Sequence, residues 1–288
     1  MRNFLITTDN TTDFPKEYID AHNLKVIDLT YSIDDIAYGV PENPAHPASE
    51  FFDLMRAGKT PKTTQVNPDA ARKFLEPIIK EGFDILHIAF SSGLSGTYNS
   101  MTIAAEELKS EYPEARIVVV DSLCASLGEG LYVDYALELK ESGKSMDEIV
   151  ECLEAEKLSF AHLFTVEDLV YLYRGGRVSK TSMVLGTMLG IKPMLHVSDE
   201  GKLVPQAKVR GRKASLDDLV KRMIENMDAE KTTKFYISHG DCYADAEYLA
   251  EKIKEKTGIT NYLISHIGPV IGSHAGPGTM ALFFRGKR

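Results

Sequence analysis

The stretch that decides the fold runs Phe83-Asp84-Ile85-Leu86-His87-Ile88-Ala89-Phe90, then Ser91-Ser92-Gly93-Leu94-Ser95-Gly96-Thr97, then a helix-like segment across Asn99 to Ser110. A short, mostly apolar run bounded by small turn residues reads as a buried strand. The segment that follows reads as the helix that carries the chain back toward the sheet. Strand, small-residue turn and helix in that order form the unit of a parallel sheet covered on both faces.

The same unit recurs on either side. Upstream, Phe4 to Thr8 reads as a strand, Asp9-Asn10-Thr11-Thr12-Asp13 is rich in helix-capping residues, and a helix starts at about Pro15. A second strand is expected at Leu24 to Tyr31. A polar region with Pro41, Pro44 and Pro47 follows, and then helices at Ala48 to Gly58 and Asp69 to Glu81. Downstream, Ala115 to Asp121 reads as a strand and Leu127 to Gly143 as a helix. The second half is less regular. Strands are expected at Ser159 to Val166, Lys192 to Val197, Leu203 to Lys208, Lys234 to His239 and Thr260 to Ile267. Helices are expected at Glu167 to Tyr173, Ser215 to Met227 and Ala244 to Thr257. The alternation loosens near residues 155–160, which sets the expected domain boundary there. No internal repeat or low-complexity tract occurs.

The 288 residues favour two domains over one. Hydrophobic residues at 43% and charged residues at 26% argue against a disordered, fibrous or membrane-spanning chain. A formal charge of −9 disfavours a nucleic-acid binder. Cys124, Cys152 and Cys242 lie far apart with no CxxC pair, so neither a disulfide framework nor a zinc ribbon is expected. No apolar run approaches the ~18 residues of a membrane span, and the expected location is the cytoplasm.

Three clusters of small and hydroxyl residues stand where strands meet loops or helices. Thr63-Thr64-Gln65-Val66-Asn67-Pro68 is either a helix cap or part of a site. Ser91 to Thr97 lies at the carboxyl end of a strand, where open α/β sheets bind ligands and a helix start offers N–H groups to an anion. Gly268 to Gly278 holds four glycines, two prolines and His274. SSGLSGT fits neither a nucleotide P-loop nor a dinucleotide fingerprint, and no HExxH or other metal-ligand spacing is present. An alternative is a serine-type esterase or thioesterase using Ser92 or Ser95, His274 and Asp9 or Asp121.

Six segments, TTDNTTDF, KTTQVNP, SSGLSGTY, DLVYLYRGGRVS, GIKPMLHVSDEGKL and IGPVIGSHAGPG, run in order over essentially the whole chain. Together they resemble the DegV family of bacterial lipid carriers, which includes the fatty-acid-binding subunits of fatty acid kinase. One departure is that the family's TSQP appears as Thr63-Thr64-Gln65-Val66, with the proline displaced to Pro68. The resemblance implies an α/β fold of two domains. These are an N-terminal three-layer α/β/α domain with a parallel sheet (residues 1–157) and a C-terminal two-layer α/β domain with a mixed sheet (residues 158–288). It implies a non-enzymatic protein without cofactor or metal, holding a long-chain fatty acid such as palmitate or oleate in a tunnel between the domains. The carried-over carboxylate ligands are Thr63, Thr64, Ser92 and His274. The implied partners are the fatty acid itself, a separate fatty acid kinase subunit and transiently a membrane, with no nucleic acid.

The chemistry is consistent with this reading. A buried carboxylate needs several donors, and hydroxyls, backbone N–H groups and an imidazole supply them. At roughly 0.8 kcal/mol per buried methylene, a sixteen-carbon chain offers on the order of 10 kcal/mol of gross gain. Apolar wall positions are expected at Phe90, Leu94, Ile191, Met194, Leu195 and Ile271. Arg174 and Arg177, and Lys208, Arg210, Arg212 and Lys213, form local basic segments that are either solvated loops or a means of docking a partner or steering an anion.

Overall fold

Apolar runs separated by capping and turn residues fold as alternating strands and helices through the first half of the chain. The computed structural model describes residues 2–180 and 190–288. Its strands are β1 (Phe4–Asp9), β2 (Lys25–Ile27), β3 (Thr30–Ile33), β4 (Ile36–Tyr38), β5 (Lys62–Thr64), β6 (Asp84–Ala89), β7 (Ile117–Asp121), β8 (Phe160–Thr165), β9 (Ile191–Val197), β10 (Leu203–Arg210), β11 (Phe235–His239), β12 (Tyr262–His266) and β13 (Met280–Arg285). Its helices are α1 (Lys16–Ala21), α2 (Ala48–Arg56), α3 (Pro68–Lys80), α4 (Thr97–Glu111), α5 (Leu127–Glu141), α6 (Met146–Glu156), α7 (Val170–Arg174), α8 (Arg212–Asn226), α9 (Tyr243–Thr257) and α10 (Pro269–Ala275).

The first sheet has the order β2-β1-β6-β7 and is parallel throughout. The second has the order β10-β9-β8-β13-β11-β12 and is antiparallel except for its β11–β12 pair. A small antiparallel sheet, β4-β3-β5, sits apart with α2. Helices α3 and α4 cover one face of the parallel sheet, and α8 and α9 cover one face of the mixed sheet. Helix α5 lies between the two sheets, touching β1 on one side and β8, β11 and β13 on the other.

Helix α5 takes that place because it has no polar stripe. Every residue from Leu127 to Asp134 is buried, as expected of a helix enclosed on all sides. Leu127, Leu131, Tyr132 and Val133 join Ile6 and Ile88 of the parallel sheet to Phe160, Phe164 and Phe283 of the mixed sheet in one core. Gly128 sits where a Cβ would overlap the His162 and Phe283 side chains, so its small size sets how closely α5 approaches the mixed sheet. The buried polar residues of α5 are each paired. Asp134 accepts from Tyr18 of α1 and from Lys234, which precedes β11, and Lys234 also meets Glu138 at 2.5 Å.

The expected Leu24 to Tyr31 strand is two strands in different sheets. The Asn10 side chain takes both backbone groups of Leu29, accepting its N–H at 3.0 Å and donating to its carbonyl at 2.9 Å, and this replaces sheet pairing at the break. Helix α6 and strand β13 are additions to the sequence reading. Within the Gly268–Gly278 cluster, Pro269 opens a short helix, α10, in keeping with proline at a first helical position.

Gly128→Ala should lower stability by about 1–3 kcal/mol through overpacking against His162 and Phe283. A lower urea midpoint at unchanged slope would show this. An unchanged midpoint would mean that the layers part freely.

Candidate functional site

In the parallel sheet the chain leaves β1 toward β2 on one side and β6 toward β7 on the other, so the loops after β1 and β6 diverge at their carboxyl ends. Such a switch point opens a crevice. The Asp9 carboxylate braces it, accepting the N–H of Phe90 at 2.9 Å, the N–H of Thr11 at 3.0 Å and the Thr11 hydroxyl. The Thr11 hydroxyl also lies 2.8 Å from the Glu129 carboxyl of α5, and the Thr8 hydroxyl lies 3.3 Å from it. Burial raises the pKa of both Asp9 and Glu129, against the pull of these hydrogen bonds.

Beyond these loops lies a cavity of about 340 Å³ between the two sheets. Phe90 and Leu94 come from the loop after β6, Phe164 and Phe283 from the mixed sheet, Leu172 from α7 and Val270 from α10. One cluster of polar groups on the wall is Thr63, Thr64, Gln65, Ser95, Arg177 and His274, and Ser126, His162 and Thr279 line the cavity as well.

His274 is fixed at two points. Its Nε2 lies 2.8 Å from the Thr63 hydroxyl. Its ring edge packs on Gly175, where any side chain would collide with it. Its Nδ1 has no hydrogen-bond partner among the described residues. Burial, with repulsion from the Arg177 guanidinium, pushes the imidazole down to about 4, so it is neutral at physiological pH. The Arg177 guanidinium folds back, donating through Nε and Nη2 to the Leu94 carbonyl at 3.2 and 2.9 Å and through Nη1 to the Gly175 carbonyl. Its protein partners are thus neutral carbonyls, and a partly buried cation at a cavity wall favours an anion there.

Of the four expected ligands, Thr63, Thr64 and His274 stand together on this wall. Ser92 does not: it is exposed, and its backbone N–H donates to Asp121 at 3.1 Å. The serine of this loop that lines the cavity is Ser95, three residues on, whose hydroxyl lies 3.0 Å from that of Thr97. The displaced proline also finds a place: Pro68 opens α3, capped by Asn67. Among the expected apolar positions Phe90, Leu94 and Ile271 line the cavity. Ile191, Met194 and Leu195 do not. Met194 faces the α8 and α9 layer and Leu195 the central core, because successive strand residues point to opposite faces.

The basic segments divide. Arg177 joins the site, a role signalled only by the glycine pair in RGGR that lets the chain fold back. Arg174, Lys208, Arg210 and Lys213 are exposed, and Arg212 pairs with Asp245 at 2.7 Å.

A serine-hydrolase triad is not assembled. His274 bonds a threonine through Nε2, no carboxylate meets its Nδ1, and Asp121 is engaged by the backbone N–H groups of Ser92 and Leu123. Among the described residues no group of three or more His, Cys, Asp or Glu could hold a metal, and no helix is long and apolar enough to cross a membrane.

One further carboxyl ties the site to both sheets. Asp13 accepts from Ser126 on the cavity wall and from the N–H of Gly268, at the cap of α10, at 2.9 Å. Burial pushes Asp13 up to about 7 despite these bonds.

A model of the DegV family, described as uncharacterised protein, matches residues 3–287. A DegV domain-containing protein of Clostridium perfringens is 43% identical over 286 residues, covering 99% of this chain and 98% of its own. Among solved structures, a DegV family protein from Thermus thermophilus described as fatty acid binding is 29% identical, with a TM-score of 0.87 over 99% of this chain and 100% of its own. DegV, a fatty acid binding protein from Bacillus subtilis, is 27% identical, with a TM-score of 0.83 over the full length of both.

The buried groups make stability depend on pH with opposing signs. Asp13 holds its proton more tightly folded than unfolded, so its contribution is complete below about 4 and lost as pH rises through 7. His239 and His274, held near 4 against 6.5 unfolded, contribute above 6.5 and lose that contribution as pH falls toward 4. Asp13→Asn should therefore steepen the loss of stability on acidification between these limits, by up to about 1.4 kcal/mol per pH unit. Urea midpoints across this range measure it, and parallel profiles for the two proteins would refute it.

Proposed function

This chain belongs to the DegV family, and we propose that it binds one long-chain fatty acid, such as palmitate or oleate, with the acyl chain in the cavity between the sheets. The carboxylate is met by the Thr63 and Thr64 hydroxyls, His274, Ser95 and the Arg177 guanidinium. The observation that carries this reading is the pairing of a mostly apolar cavity of about 340 Å³ with a cluster of hydroxyls and an imidazole around a cation that has only carbonyl partners among the described residues. The volume lies at the small end of the ~300–1,000 Å³ usual for small-molecule sites, which suits one slender chain. Fatty acid binding by the relatives from Thermus thermophilus and Bacillus subtilis supports the same ligand class.

The wall suits a carboxylate better than a phosphate ester. A neutral imidazole and hydroxyls give directional hydrogen bonds, and one guanidinium balances one negative charge. The same wall lacks the means to cleave an ester, so the protein acts as a carrier. It holds the carboxylate at the rim, where Thr64 is exposed, for a separate fatty acid kinase that brings ATP. The carrier works in the cytoplasm and meets membranes only transiently.

Native mass spectrometry of protein purified from a bacterial host should show an added mass in the range of a long-chain fatty acid. Thr63→Val and His274→Ala should each weaken palmitate binding by roughly tenfold or more, as the loss of a hydrogen bond to a charged group implies. No hydrolysis of acyl esters is expected. Delipidated protein that takes up neither palmitate nor oleate would overturn the proposal.

A further inference from the structure

The cavity has a direction that the strand registers define. Thr279, at the start of β13, donates to the carbonyls of Ala275 and Gly276 at the end of α10, and so lies at the His274 end. Cavity-facing residues then follow along β13 as Ala281 and Phe283, the latter about 13 Å farther at ~3.3 Å per residue. Phe283 pairs in register with His162 of β8. The register of Leu163 with His196 puts His162 beside Val197 of β9, which pairs with Leu203 of β10. Leu203, Val197, His162 and Phe283 thus form one row across four neighbouring strands, all on the cavity wall and crossing β13 at the end away from Thr279.

His162 is an unusual residue for an apolar wall, and its bonds explain it. Its Nδ1 lies 2.9 Å from the Phe160 carbonyl, and its Nε2 accepts the N–H of Ala125 at 3.3 Å. Both nitrogens are used, so the ring is a neutral plate in one tautomer, and burial holds it near 3. Phe283 meets it edge to face at 5.2 Å between centroids. Gly128 of α5 packs behind both rings, and Ala125 lies just before the same helix, so neither ring has room to swing away.

We propose that this row is the stop for the methyl end of the acyl chain, and that His162 and Phe283 set the longest fatty acid the site admits. The inference rests on the fatty-acid reading above and adds chain-length selection to it.

The test loads delipidated protein with an equimolar mixture of saturated acids of twelve to twenty carbons and reads the bound distribution by native mass spectrometry. Each methylene admitted is worth roughly a fourfold preference. Phe283→Leu, which removes no hydrogen bond, and His162→Ala should therefore raise the acid two carbons longer than the wild-type optimum by up to about sixteenfold relative to that optimum. Val197→Phe, which fills the end of the cavity, should shift the distribution to shorter acids. His274→Ala should lower uptake of all lengths while leaving their ratios unchanged, which separates this end of the site from the other. Unchanged length ratios in Phe283→Leu and Val197→Phe proteins that still bind would overturn the stop. Wild-type protein that binds no acid of the series would overturn the carrier reading, and the stop with it.

Discussion

Everything in this molecule depends on one helix being buried on both sides. Helix α5 supplies the missing cover for the parallel sheet and for the mixed sheet at once, so neither sheet has a complete core without the other. A helix in that position must be apolar along its length, and its few polar side chains must be matched one by one. Glu129 meets Thr8 and Thr11, Asp134 meets Tyr18 and Lys234, and Ser126 at its start meets Asp13 and Ser238. A buried charge left alone would cost several kcal/mol, so these matches fix the register of α5 against both sheets. The cavity is the space left where the sheets diverge beyond the first turn of this helix.

That origin explains the cavity's mixed character. One wall is the inner face of the mixed sheet, from Leu203 to Phe283, and the opposite wall is apolar residues of loops and short helices such as Phe90, Leu94, Leu172 and Val270. Its polar end is made of loops and helix termini at the sheet edges, where hydroxyls, a glycine-packed imidazole and a folded-back arginine meet. The site holds its counter-charge on a single guanidinium, so an acidic protein with a formal charge of −9 can carry an anion without contradiction.

Much of this was legible in the sequence, and the gaps have physical causes. The parallel half was readable because each strand is a continuous apolar run flanked by turn residues, as Asp84 to Ala89 shows. The order of the second sheet was not. Met280 to Arg285 follows directly on a glycine-rich cluster, which hides the start of the strand, yet its place between β8 and β11 makes it central. The site was readable as three clusters but not to the residue. Ser92 and Ser95 share one loop, and only the turn Leu94 N–H to Ser91 carbonyl, at 3.0 Å, decides which hydroxyl faces inward. The assignment of Met194 to the wall fails on strand parity, whereas Leu195, on the same face as Val197, packs into the central core and does not line the cavity. Arg177 was visible as a charge, and its function depends on a bend at Gly175 and Gly176 that composition does not specify.

The place of β13 also bears on how the protein comes into being. Among the strands of the mixed sheet it is the last to be synthesised, yet it stands between β8 and β11 and contributes Ala281 and Phe283 to the cavity. Until it arrives, β9 and β10 can pair with β8, and β12 with β11, but the two groups have no common partner. During that interval the face of α5 turned toward the mixed sheet lacks the cover of β13 and has only β8 and β11 against it. The emerging chain thus carries a transient apolar surface of the kind that chaperones recognise. The cavity closes only after β13 has slotted between its neighbours, because Ala281 and Phe283 form part of its wall.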